Sequence, residues 1–332
     1  MRVCKILLGL ATVFVIGSAG LAALPAKADD LNVVASIKPI HSLVAAVMRG
    51  VGEPALIVKG AASPHTYTMK PSDAAALAKA NVVFWTGHDM EKFMEKPLAS
   101  LSGKATSVAL METPAIATLK PREGGTFEPH DHGDEAHGDH DHDGHDHDHA
   151  AADHHDHEEE TDPHFWLDPE NARAAVKVIA ATLSAADPTH ASVYSENAAR
   201  TDADLAALET RIATELAPYR NKPFIVFHDA YQYFEKRFGL NATGSVTVSP
   251  DIQPGAARIA GIEKKISTLG AVCIFSEPQF EPKLMETIAA GTKTFRGELD
   301  PEGASLTEGI DLYPALLQSL ADNLKECLSK EA

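Results

Sequence analysis

The sequence predicts an α/β protein of two lobes, each with a mostly parallel sheet, joined by one long rigid helix. Three observations carry this. Short apolar strands alternate with helical stretches on both sides of the chain's middle, the pattern of βαβ units. Residues 189–217 run without glycine or proline, with apolar positions at helical spacing. The length of 332 residues, 44% of them hydrophobic, is enough for two domains with substantial cores.

Taken in order, residues 1–28 read as a signal peptide. Arg2 and Lys5 precede an apolar run from Ile6 to Leu24, and Pro25-Ala26-Lys27-Ala28 suits cleavage after Ala28. The apolar run is not followed by a cysteine at a lipid-attachment position. No later segment approaches the ~20 apolar residues of a spanning helix, so an exported chain without direct membrane insertion is expected.

The N-terminal lobe, residues 29–188, begins with a strand at Leu31–Ser36 and a helix at His41–Arg49 closed by Gly50. A strand at Leu56–Val58, a helix at Ser72–Lys79 and a strand at Val82–Trp85 follow. An insert at 128–162 interrupts the alternation. The helix Pro169–Ala186 then runs until Asp187-Pro188. In the linker helix, 189–217, Val193, Ala199, Leu205, Leu208, Ile212 and Leu216 mark the apolar face, and Pro218 ends it. At ~1.5 Å per residue it is a rod of ~40 Å. The C-terminal lobe, 218–332, has strands at Phe224–Phe227, Gly244–Val248 and Val272–Phe275, with helices at Ala256–Thr268, Pro282–Ala290 and Tyr313–Leu328. Ligands of such sheets sit beyond the strand C-termini.

The charge is local. The net charge is −18, yet residues 128–162 alone hold fifteen Asp or Glu and no Lys or Arg. With no basic stripe to neutralise phosphates, a nucleic-acid partner is excluded. Eleven of the seventeen histidines lie between His130 and His157. From Asp139 to His149 carboxylate and imidazole alternate, so His140, His142, His145, His147 and His149 offer interchangeable ligand sets suited to Zn²⁺, Ni²⁺ or Cu²⁺. With almost nothing apolar to bury, the insert is expected to be disordered without metal and to form weak auxiliary sites.

Outside the insert, His65, His164 and His228 share a position type, each at a turn beside an apolar segment. Converging, they would make a nitrogen-rich Zn²⁺ site with bonds of ~2.0–2.1 Å; singly, each reads more often as a hydrogen-bonded loop histidine than as a ligand. Cys4 leaves with the signal. Cys273 and Cys327 remain, most simply one disulfide in an oxidising compartment, otherwise two buried thiols.

Several stretches together closely resemble the ZnuA family, the zinc-binding periplasmic components of ABC importers among the metal-specific solute-binding proteins. They are Ser63-Pro64-His65-Thr66-Tyr67, Lys70-Pro71-Ser72-Asp73, Gly87 with Met90-Glu91-Lys92-Phe93-Met94, His164-Phe165-Trp166-Leu167-Asp168-Pro169, Phe227-His228-Asp229-Ala230-Tyr231 and Ser276-Glu277-Pro278-Gln279-Phe280. The resemblance spans the mature chain, including the His/Asp-rich insert and the late cysteine pair. It implies the metal-type solute-binding fold, a zinc site between the lobes on His65, His164 and His228, a monomer, and an inner-membrane permease as partner. Zn²⁺ would be the transported ligand.

Manganese-preferring members carry Glu at the third motif, where this chain keeps His228. Enterobacterial members have an acidic residue before the first ligand histidine, where this chain has Pro64, so the fourth position falls to Asp300 or to water. Glu277 would orient a ligand histidine or make a structural salt bridge. No His-Glu-x-x-His or Gly-x-Ser-x-Gly motif occurs, so no enzyme is expected. The alternatives are a periplasmic zinc buffer or metallochaperone, or a binding protein for another divalent metal such as Mn²⁺.

Overall fold

β1 (Val33–Ala35) is apolar and buried at every position, as a strand covered on both faces must be. The computed structural model describes residues 31–101, 103, 105–122, 127, 161–247, 250, 255–280 and 283–330. The signal segment and nearly all of the His-rich insert, with His140, His142, His145, His147 and His149, lie outside the described residues.

α1 (Lys38–Val47) begins three residues earlier than the sequence suggests, because Pro39 is already set for a first helical turn. β2 (Ala55–Leu56) is followed by α2 (Pro71–Lys79), where Asp73 Oδ2 accepts the Lys70 N–H at 2.8 Å. β3 (Val82–Trp85) is buried throughout. Then come α3 (Lys92–Leu101) and β4 (Thr106–Ala109), neither of which the sequence reading contains. Pro97 inside α3 and the exposed Thr106 and Ser107 at the sheet edge explain why. The strands pair in parallel in the order β2-β1-β3-β4.

α4 (Pro169–Ala186) matches its expected bounds, with Asp168 accepting the Glu170 N–H at 2.9 Å as N-cap. α5 (Ala191–Leu216) is the long helix, 26 residues between short 3₁₀ turns. Its buried stripe differs in the first half from the one read in the sequence. Tyr194, Asn197 and Ala198 face inward, whereas Val193 is half-buried and Ala199 is exposed. The cause is polar: the Asn197 amide donates to the carbonyls of Val47 and Arg49 at 3.0 and 2.8 Å, and Tyr194 OH donates to Asp187 at 3.0 Å. A hydrophobic pattern does not register a buried asparagine that satisfies the end of a neighbouring helix.

The second half repeats the first. β5 (Pro223–His228), α6 (Gln232–Phe238), β6 (Asn241–Thr247), α7 (Ala256–Leu269), β7 (Cys273–Ser276), α8 (Lys283–Ala290), β8 (Phe295–Glu298) and α9 (Leu312–Leu328) follow in order. The strands are parallel in the order β6-β5-β7-β8, the same permutation as before. Each sheet therefore has its topological switch point beside its first strand, where crevices open at strand C-termini. α6 and β8 are the further elements absent from the sequence reading. At Gly297 in β8 an added Cβ would lie 2.5 Å from the Phe275 ring, so this strand fits only without a side chain there.

Cys273 of β7 and Cys327 of α9 form a disulfide, with Cα atoms 6.2 Å apart. α9 also packs on α1 and α5, and one apolar core runs from Val33 through Phe84, Leu208 and Phe224 to Leu320. The two sheets thus share buried surface, which opposes wide separation. Among the described residues, no helix is long and apolar enough to cross a membrane.

Candidate metal centre

His228 ends β5 at the C-terminal edge of the second sheet, and its side chain is 3% exposed. Its Nδ1 lies 2.7 Å from Oε1 of Glu277, which directly follows β7 on the other side of the switch point. The Tyr231 hydroxyl lies 3.2 Å from the same oxygen. His164 stands just before the 3₁₀ turn Phe165–Leu167, whose three apolar side chains are fully buried and anchor it. Asp162 Oδ1 accepts the His164 backbone N–H at 3.1 Å and lies 2.8 Å from its Nδ1. His65 sits in the 3₁₀ turn Pro64–Thr66 on the connection from β2 to α2. That connection is tied down by Tyr67 OH donating to Asp73 at 2.7 Å.

These three histidines, distant in sequence, meet. Their ring centroids are 5.2–5.4 Å apart, and one nitrogen from each lies within 4.8 Å of the others. Nε2 of His164 and Nε2 of His228 are 3.3 Å apart. With each Nδ1 turned to a carboxylate, the two rings present their Nε2 atoms to one another, the nitrogens a metal would take. Two such nitrogens repel when both are unprotonated, and a cation or a proton between them removes the repulsion. Two nitrogens bound tetrahedrally to one ion at ~2.0–2.1 Å lie ~3.3 Å apart, so the geometry suits zinc. A cavity of about 10 Å³, bordered by the three imidazoles, Glu277, Pro301 and Glu302, leaves room for about one small occupant.

The electrostatics agree. Burial, reinforced by His228, holds the His164 imidazole well below its usual range, so it stays neutral. Burial also opposes charge on His228, but the Glu277 carboxylate overrides it and raises that imidazole. Burial pushes Asp162 up to about 7. Around the site the protein supplies acceptors and negative charge, an environment that a divalent cation relieves.

Asp300 stands close in the fold but outside the three-histidine group. Its Oδ1 accepts from Gln279 Nε2 and the Glu302 and Gly303 N–H groups at 2.8, 3.1 and 2.9 Å, whereas its buried Oδ2 has no hydrogen-bond partner. The other described histidines stay apart. His41 lies on α1 with Nε2 3.0 Å from Pro54 O, His88 meets Glu95 and Glu112 at the surface, and His190 pairs with Asp187.

Asp162 is the functional residue the sequence reading missed, counted there only among the insert's acids. The Asp-x-His spacing, which lets a carboxylate fold back on the ring, was the available signal. Beside His228, Asp229 is gripped by Arg122, whose guanidinium also reaches Glu235 at 2.9–3.0 Å.

The chain matches the ZnuA family model, described as zinc-uptake complex component A, periplasmic, over residues 33–327. It is 55% identical over 307 residues to the high-affinity zinc uptake system protein ZnuA of Brucella suis biovar 1, covering 90% of this chain and 92% of that protein. Identity to the protein of the same name from Paracoccus denitrificans is 38% over 313 residues, covering 94% and 96%. Among solved structures, its fold is similar to a zinc-bound ZnuA deletion mutant (TM-score 0.72, 22% identity, 92% of this chain and 100% of that one). It is also similar to the periplasmic zinc-binding protein TroA from Treponema pallidum (TM-score 0.72, 18% identity, 91% and 100%).

Proposed function

The chain belongs to the ZnuA family of zinc-uptake components, and from that premise we propose that it captures Zn²⁺ with high affinity in the periplasm and hands it to the permease of an ABC importer. The ligands are His65, His164 and His228. The observation that carries this reading is the pair of Nε2 atoms 3.3 Å apart, each ring held from behind by a carboxylate. Three imidazoles favour zinc over the harder Mn²⁺. Asp300, through its unpartnered Oδ2, is the protein group to complete the shell, with water as the alternative.

On this reading residues 1–28 direct export and are cleaved after Ala28. Residues 29–188 and 218–332 act as the two lobes, with 189–217 as connector. The His-rich stretch adds weaker zinc sites. The protein is a carrier of its cargo and not a catalyst. Because the lobes share a core, loading involves local adjustment of the loops that bear the histidines. Zinc titration against a chromophoric chelator tests the assignment: His228→Ala loses tight binding and His190→Ala keeps it. Unchanged affinity in His228→Ala would refute it.

A further inference from the structure

Lys38 opens α1 and is 5% exposed. Its ammonium donates to three backbone carbonyls of the opposite lobe, those of Gly303, Ala304 and Leu306, at 3.0, 2.9 and 3.2 Å. That uses every N–H it has. A second donor arrives nearby: Trp166 Nε1 reaches Pro301 O at 2.9 Å. The segment receiving both lies between β8 and α9 and has only turns and bends. Within it Asp300 Oδ1 accepts the N–H groups of Glu302 and Gly303, and the Leu306 N–H donates to Gly303 O at 3.1 Å. Gly303 has φ +70°, and an added Cβ would crowd Leu306, Leu312 and Leu316 at 3.3–3.4 Å, so the turn is sharp and closely packed.

Pro301 and Glu302 of this turn border the cavity of the three imidazoles. One wall of the metal cavity is therefore an irregular segment of the C-terminal lobe, tied within its own lobe by Gln279 and across the lobe boundary by two side chains of the N-terminal lobe. We infer that Lys38 and Trp166 are positioning residues for zinc retention, fixing the Asp300–Gly303 turn against the metal site across the lobe boundary. The inference rests on the three-histidine reading. Neither residue touches the ion; both set how readily the wall moves away. A charged donor shared among three carbonyls is the stronger of the two holds.

The test is stopped-flow release of zinc from the loaded full-length protein into excess EDTA, with association measured separately. Lys38→Met, which loses all three hydrogen bonds of a charged donor, should release zinc at least about tenfold faster, the scale set by one such bond. Its association rate should stay unchanged. Lys38→Arg, which keeps cationic donors, should restore most of the slow release, and Trp166→Phe should accelerate release to a smaller degree. A folded Lys38→Met that releases zinc at the parental rate overturns the inference, as does an Arg variant that releases as fast as the Met variant. If Lys38→Met does not fold, Trp166→Phe decides, and parental release from it overturns the inference. His228→Ala runs alongside: tight binding retained there defeats the three-histidine reading itself, while binding lost there with parental release from Lys38→Met defeats only the positioning role.

Discussion

Replacing Asp162 by Asn isolates what a carboxylate behind a ligand imidazole contributes. Asn keeps an oxygen at the position that accepts the His164 backbone N–H at 3.1 Å and faces Nδ1 at 2.8 Å, so the ring should keep its place. Two things are lost. The negative charge that makes the imidazole a better donor to zinc disappears. The second oxygen, which accepts from Gln232 Nε2 at 3.1 Å, becomes an amide that cannot accept. Gln232 cannot simply turn over, because the same Nε2 also donates to Lys120 O at 3.0 Å. Loss of such a partner typically lowers metal affinity ~10–100-fold, about 1.4–2.8 kcal/mol of binding. The effect should appear in chelator competition at pH 7.5, while circular dichroism of the metal-free protein keeps its helical signal. Affinity within about twofold of the parent would show that Asp162 only caps the turn, and would refute the reasoning.

Glu91 offers a pH test away from the histidines: it is buried, pushed up to about 7 by burial, and accepts the N–H groups of Thr86 and Gly87 at 2.8 and 3.1 Å. A raised carboxyl pKa gives stability that is full below the unfolded value and lost as pH rises through the folded one. Glu91→Gln should therefore flatten the fall in melting temperature between about pH 4.5 and 7 and stabilise the protein at pH 8, by up to about 3 kcal/mol; an unchanged slope would count against this. Cys273 and Cys327 close a loop with a sequence separation of 54, so Cys327→Ser should cost about 4 kcal/mol by the loop-entropy estimate, read from urea unfolding of oxidised and variant protein. Deleting residues 131–157 should remove extra zinc equivalents in equilibrium dialysis while one tight equivalent and the fold persist; abolished tight binding would make that stretch the primary site.

Punctuation and continuous apolar runs determined much of the chain's local structure. β3 was legible because Val82-Val83-Phe84-Trp85 has no polar interruption, and α4 because Asp168-Pro169 and Asp187-Pro188 mark both ends. α6 and β8 were not legible: one is a single short amphipathic stretch of seven residues, the other has Arg296 and Gly297 at its centre and owes its place to pairing with β7. The long helix was visible, with its inward face in the second half, but which side of its first half faces inward was settled by Asn197 reaching the end of α1, a contact with no local signature. The site divides in the same way. Residue type and motif singled out His65, His164 and His228, since a neutral imidazole at a turn beside buried chain can serve as a zinc ligand. Tertiary structure decided that they converge and which nitrogen each of two rings presents. A nitrogen's role depends on what faces the other side of the ring, and for His228 that partner, Glu277, lies 49 residues away and comes into reach only when two parallel strands meet at the switch point.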